Sequence, residues 1–218
     1  MLEALLNLLF PPQCPACNNY VEHNGYWCDS CLSRLLKVQK LPLESDLGGV
    51  FDKGVWCLGE YDGILKKLIA DVKYNKKKSA IKAVQYFTKK GMEKLEMEDT
   101  ELITAVPLYE SKMKARGFNQ GVLLFSPAVS ARKMDFSEVL KRVRDTIPQF
   151  NLKYEERQKN VRGAFALQED YVHRIKGKNI LLTDDIFTTG ATFFECGKEL
   201  KKAGAASILG VVIASGRK

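Results

Sequence analysis

The sequence predicts an α/β fold, a parallel sheet flanked by helices, with a small N-terminal four-cysteine zinc segment. Three observations carry that expectation. Ile180 to Leu182 is continuously apolar, as in a strand buried on both faces of a parallel sheet, and a helical stretch, Ala191 to Ala203, follows it. Glu101 to Leu108 repeats the pattern, with Leu102, Ile103, Ala105 and Val106 ahead of Pro107 and a helix from Asn119 to roughly Ala131. Before both, Cys14-Pro15-Ala16-Cys17 and Cys28-Asp29-Ser30-Cys31 form two paired-cysteine knuckles.

The 218 residues suffice for one domain, or one domain with a small appendage, and for a real core. The 45% hydrophobic and 28% charged residues suit a globular protein and show no apolar run of membrane-spanning length. Met1 to Phe10 is leucine-rich but carries Glu3 and no basic leader, so it does not read as a secretory signal. Leu2, Leu5, Leu6 and Leu9 instead share one helical face, which predicts a short docking helix. The expected setting is cytoplasmic, without membrane insertion. In that reducing compartment, six cysteines point to metal binding or plain burial rather than disulfides.

Cys14, Cys17, Cys28 and Cys31 suit tetrahedral Zn²⁺, because each knuckle presents two sulfurs to one metal. The segment is too small for a core of its own, so a structural zinc would supply the missing stability. Buried free cysteines or a redox pair are the other readings. His23 lies between the knuckles and reads as a loop residue, since four sulfurs already fill a site. The segment is net acidic before bound thiolates are counted, which argues against an extensive phosphate contact.

Val38 to Val50, with Pro42, Gly48 and Gly49 and no clear period, reads as a linker, and Val55 to Tyr61 as an edge strand. Ile64, Leu65, Leu68, Ile69 and Val72 then make a helical stripe that ends in Lys73-Tyr74-Asn75. The next helix is expected over Ser79 to Leu95, with Ile81, Val84, Phe87, Met92 and Leu95 inward. Lys73 and Tyr74, at a helix end before a turn, are better placed for an anion than the following lysine run. After Leu108 comes a loop with Lys112, Lys114 and Arg116, ahead of Gly117 and a helix. Arg116 suits a second anion site, because its planar fork matches phosphate oxygens. Val139 to Phe165 is charged and punctuated, and reads as a lid or as a mobile β-hairpin with no catalytic part. Ser207 to Ala214 is the last strand, and Cys57 and Cys196 are core residues.

The formal charge is +8, with the excess around Lys73 to Lys78 and Lys112 to Arg162. A surface for a polyanion such as nucleic acid, a pocket for a highly anionic substrate, and a solvated basic surface all remain open.

The stretch after Leu182 carries the chemistry. Asp184 and Asp185 are expected to follow at the strand's C-terminal end, where open α/β sheets bind ligands. The turn Thr188-Thr189-Gly190 then opens the helix beginning Ala191-Thr192. A helix start offers unpaired N–H groups to an anion, and Gly190 allows close backbone approach. The threonines add hydroxyl donors, while the acids repel phosphate but accept from sugar hydroxyls. The pattern therefore fits a phosphorylated sugar; an ordinary strand–turn–helix with a capping Thr is the plainer reading.

Leu181-Leu182-Thr183-Asp184-Asp185-Ile186-Phe187-Thr188-Thr189-Gly190-Ala191-Thr192 resembles the signature of type I phosphoribosyltransferases, which bind phosphoribosyl pyrophosphate. With the cysteine knuckles, Val106-Pro107-Leu108, Arg116-Gly117-Phe118-Asn119-Gln120 and Arg157 to Phe165, nearly the whole chain resembles the ComF family, phosphoribosyltransferase-like proteins linked to natural competence. The resemblance implies an N-terminal helix and zinc-finger segment over 1–45 and a phosphoribosyltransferase-like domain with a hood over 46–218. It implies a cytoplasmic role in DNA uptake, with a helicase-like ATPase and incoming single-stranded DNA as partners. It also implies roles for residues. Thr188, Thr189, Gly190, Ala191 and Thr192 would hold the 5′-phosphate. Asp184 and Asp185 would hold the ribose hydroxyls and stabilise charge at the anomeric carbon. Mg²⁺ would bridge a pyrophosphate leaning on Arg116 and Lys73. An active pentosyl transferase and a catalytically inactive nucleic-acid-binding or scaffold module are both compatible with these residues.

Overall fold

The computed structural model describes residues 10–147 and 154–216. The expected docking helix at Leu2 to Leu9, and the part of the expected lid at 148–153, lie outside the described residues. Within them the elements run α1 (Asp29–Leu35), β1 (Leu36–Lys40), α2 (Ser45–Val50), β2 (Val55–Glu60) and α3 (Gly63–Ala70), followed by a π-helical turn (Asp71–Asn75). Next come α4 (Lys78–Met92), β3 (Leu102–Ala105), α5 (Glu110–Arg116), α6 (Gln120–Ser130), β4 (Leu140–Arg142), α7 (Tyr154–Val161) and β5 (Phe165–Leu167). A 3₁₀ segment (Glu169–Arg174) leads to β6 (Asn179–Phe187), α8 (Ala191–Lys202) and β7 (Ser207–Ser215).

The central sheet has the order β1-β2-β7-β6-β3. β2, β7, β6 and β3 are mutually parallel, and β1 runs antiparallel to β2. Alternate residues of the buried strands feed opposite faces, as the two-residue period of a strand requires. Leu181, Leu209, Val211 and Ile213 pack on one face with α4 and α6 side chains such as Val84, Phe87, Leu124 and Phe125. Ile180, Leu182, Ile208 and Val212 pack on the other with Phe193, Cys196 and Leu200 of α8 and with Val139, Leu140 and Phe165 around the β4–β5 hairpin. The result is a three-layer α/β/α arrangement. Among the described residues no helix is long and apolar enough to cross a membrane.

The structure corrects several sequence expectations. Leu36–Lys40 alternates apolar and polar side chains and pairs antiparallel with β2, so Val55–Glu60 is internal rather than an edge strand. The expected linker over Val38 to Val50 contains most of β1 and all of α2, whose Leu47 is buried beside Phe51. The expected cation-bearing loop after Leu108 contains α5, which ends where Gly117 takes a left-handed conformation (φ +83°). Asp184 and Asp185 do not follow their strand but lie in it, because β6 keeps pairing with β7 through Ile186↔Ala214 and Phe187↔Ser215. Cys57 and Cys196 are fully buried in the core, as expected.

The N-terminal segment shares the main core instead of standing apart. Cys14, Val21, Trp27 and Cys31 join the same cluster as α4. Trp27 Nε1 donates to the Ala83 carbonyl at 2.8 Å, and its ring lies 5.5 Å from Phe87. Gly25 (φ +93°) allows this approach, since a Cβ there would stand 2.5 Å from Lys82 Cβ.

Candidate functional site

The four knuckle cysteines converge. Their Sγ atoms all lie within 4.8 Å of one another, with Cys17 and Cys28 at 3.6 Å, and none forms a disulfide. A tetrahedral Zn²⁺ with Zn–S bonds of about 2.3 Å sets its sulfurs about 3.8 Å apart, so the donor set fits that ion. The backbone prepares the cluster: Cys14 N–H donates to the Asn19 carbonyl, Asn18 takes a left-handed conformation, and Cys28 precedes the first turn of α1.

The second site lies beyond the C-terminal ends of β2, β3 and β6. There a cavity of about 650 Å³ is lined by Lys73, Arg116, Asp184, Asp185, Thr188, Gly190, Ala191 and Thr192. These are the sequence-singled residues except Thr189. The buried Thr189 lines a separate cavity beside Leu47 and Glu195, and its hydroxyl accepts from Ala191 N–H at 3.4 Å. Gly190 (φ +84°) ends the turn and caps α8. A Cβ at this position would meet Phe187 Cζ at 2.7 Å.

Lys73 reaches the cavity from the π-helical turn, whose extra residue re-aims side chains relative to an α-helix. Its ammonium stands 2.8 Å from Asp185 Oδ2, a buried oxygen that, among the described residues, has no hydrogen-bond donor besides that ion pair. Burial alone would lower the Lys73 pKa, but the Asp185 charge outweighs it and holds the ammonium above its usual range. Asp184 is partly open to the cavity yet deep among protein atoms, and accepts from Asp185 N–H at 2.8 Å. Burial raises its carboxyl, the Asp185 charge raises it further, and Lys73 and Arg142 offset only part, leaving it at about 7.

The Arg116-Gly117-Phe118-Asn119-Gln120 run has a local mechanical logic. Gly117 ends α5, and Asn119 caps α6 by accepting from Gly121 N–H at 2.9 Å. The Asn119 amide also donates to the Val106 carbonyl at 3.0 Å, tying the helix start to the end of β3. Gln120 accepts from the Arg116 guanidinium and orients it. Lys76 Nζ reaches the Ala115 carbonyl at 3.0 Å, linking the end of the π turn to α5.

Sequence reading did not assign Lys112, Arg142, Arg157 or Tyr61 to the cavity they line, whereas Tyr74, singled out with Lys73, lines it as expected. One signal was available. Lys112 and Arg116 are four residues apart, so they share a face once the segment is helical. Lys114 is exposed on another face and pairs with Glu110 at 2.5 Å. Arg142 could not be read from local pattern, because a hairpin distant in sequence delivers it.

The chain matches the family described as the double zinc ribbon domain over residues 5–57. It is 27% identical over 202 residues to the DNA utilization protein YhgH of Escherichia coli, covering 89% of this chain and 80% of that protein. The YhgH protein of Salmonella typhimurium is similar to the same extent. Competence protein F of Haemophilus influenzae is 25% identical over 207 residues, covering 90% of this chain and 82% of its own length. The similarity covers about nine-tenths of the chain, and with it the ComF-family resemblance is borne out: the chain is a homologue of these competence and DNA-utilization proteins, with a zinc-ribbon segment at its N-terminus.

Proposed function

We propose that the cavity beyond β3 and β6 binds phosphoribosyl pyrophosphate or a related phosphorylated sugar, on a fold of the type I phosphoribosyltransferase kind. In this reading residues 46–218 form that domain and residues 1–45 a zinc-bearing segment. The observation that carries it is one cavity that gathers two unlike sets of groups. One is a pair of adjacent carboxylates beside a glycine turn at a helix start; the other is the cations Lys73, Lys112, Arg116 and Arg142, of which Lys73 already pairs with Asp185. A sugar phosphate joined to a second anion has that division of charge.

The amide hydrogens at the start of α8, with the Thr188 and Thr192 hydroxyls, suit the 5′-phosphate. Asp184, partly open to the cavity, suits a ribose hydroxyl. Asp185 keeps Lys73 directed into the cavity and stabilises positive charge as it develops at the anomeric carbon. Arg116 is preset by Gln120 to receive a departing pyrophosphate. The two carboxylates and a ligand's phosphate oxygens are the hard donors Mg²⁺ prefers, so Asp184 and Asp185 fit that ion, which would neutralise pyrophosphate charge.

The biological setting comes from the relatives, whose names concern DNA utilization and competence. On that basis we infer a role in DNA uptake; a helicase-like ATPase and single-stranded DNA are the partners that the ComF-family resemblance implies. A catalytically silent module on the same fold is the second reading. It is favoured by the ion pair that ties Asp185 to Lys73.

Calorimetric titration with phosphoribosyl pyrophosphate and Mg²⁺ tests binding. Saturable binding is expected, with its loss in the Asp184→Asn/Asp185→Asn double variant; no binding by the wild-type chain removes the proposal. A screen for pyrophosphate release over candidate nucleobases then separates turnover from silent binding. Single-strand DNA affinity that falls steeply with salt would support a basic binding surface, and a flat response would oppose it.

A further inference from the structure

Lys112 enters the cavity from α5, one helical turn before Arg116, and Arg142 enters from β4. Neither Lys112, Arg116 nor Arg142 forms an ion pair among the described residues, although all three line the same space. Arg142 is held rather than free to swing away. Its guanidinium donates to the Thr146 hydroxyl and lies 5.2 Å from the centre of the Phe165 ring, across the β4–β5 hairpin. Its Nε is buried and has no hydrogen-bond partner among the described residues. Cations that line one cavity, two of them held in place, with a buried N–H left over, lose free energy unless an anion sits among them.

We propose that Lys112 and Arg142 form a second anion subsite, on a wall built by α5 and the β4–β5 hairpin rather than by the turn after β6, and that it takes a phosphate-type group. The proposal rests on the phosphorylated-sugar reading only for the identity of the whole ligand. The electrostatics agree with the geometry. Burial lowers the Lys112 ammonium, and the nearby Arg142 and Arg116 charges lower it further, with Asp145 offsetting part. Burial likewise lowers Arg142. Since Arg142 belongs to the hairpin, an anion held there fastens the hairpin to the cavity floor.

Two sources could supply the group: the pyrophosphate of the sugar ligand, or an anionic group on the acceptor. Calorimetry on the full chain with inorganic pyrophosphate and with ribose 5-phosphate, each with Mg²⁺, distinguishes them. The comparison uses wild type, Lys112→Ala, Arg142→Gln and Arg142→Lys. If the source is pyrophosphate, Lys112→Ala and Arg142→Gln each weaken pyrophosphate about tenfold or more and change ribose 5-phosphate by less than about twofold. Arg142→Lys then recovers part of the loss, as a purely structural role for Arg142 would not require. If the source is the acceptor, pyrophosphate is unaffected, but inorganic phosphate binds to protein saturated with phosphoribosyl pyrophosphate and that binding is lost in the variants.

The idea is overturned if the wild-type chain binds neither inorganic anion. It is also overturned if a folded Lys112→Ala variant binds both, alone and in the saturated protein, as wild type does. Inorganic pyrophosphate carries no ribose. Variant-sensitive pyrophosphate binding without any binding of the phosphorylated sugar would therefore leave the subsite standing while the sugar reading fell.

Discussion

Lys73 Nζ stands 2.8 Å from Asp185 Oδ2, so a π-helical turn on one face of the sheet is locked to the last residues of a central strand. Both side chains are largely shielded from water, and the pair fixes the floor of the cavity before any ligand arrives.

Breaking that pair from one side strands a buried charge. Lys73→Met is expected to destabilise the chain by about 3 kcal/mol, and Lys73→Met/Asp185→Leu to recover much of the loss, because removing both charges leaves none uncompensated. Urea unfolding of the two variants checks this. Equal instability of single and double variants would show that the pair is not what holds the turn.

Asp184 gives the protein a pH signature. Its folded-state pKa of about 7 lies above the ordinary aspartate value of 3.8, so between those values the folded state binds more protons than the unfolded state. Its contribution to stability therefore falls as pH rises through that window. Asp184→Asn is expected to flatten the slope between about pH 4 and 7, and to stabilise the chain at pH 8 by an amount on the order of 2 kcal/mol. Denaturation midpoints at pH 5 and pH 8 provide the measurement.

Gly190 is the point where the turn after β6 meets the core. Gly190→Ala must hold φ +84° with a Cβ 2.7 Å from Phe187 and 3.1 Å from Leu47. A loss of about 1–3 kcal/mol is expected, together with weaker sugar-phosphate binding, since the turn must shift to relieve the clash. Thermal melts and the calorimetric titration report the two effects separately.

Metal removal should be felt beyond the knuckles. Cys14 and Cys31 share a core cluster with Trp27, whose indole is bonded to α4. One zinc per chain is expected, and chelation should lower the melting temperature and alter Trp27 fluorescence. Cys31→Ser should do the same without chelator. A melt indifferent to both treatments would leave the cysteines as plain packing residues.

How much of this was legible depended on the range of the interaction. The Thr188–Thr192 turn, the acid pair and the cysteine knuckles were readable because each is a contiguous pattern whose chemistry is local. β1 was missed because Pro42, Gly48 and Gly49 drew attention from the short alternation of Leu36–Lys40, and with it went the internal position of β2. The helical nature of Glu110–Arg116 was missed because no residue of α5 is buried, so no apolar stripe marks it.

The sequence by itself determined the buried parallel strands, the helix-start turn after Phe187 and the four-sulfur cluster, because apolar periodicity, glycine and cysteine spacing act over a few residues. Only the tertiary structure decided that Lys73 pairs with Asp185, that Thr189 faces another cavity, and that Arg142 joins Lys112 and Arg116. Those outcomes depend on strand order and hairpin placement, which are fixed by packing on the two faces of the sheet and carry no signal in neighbouring residues.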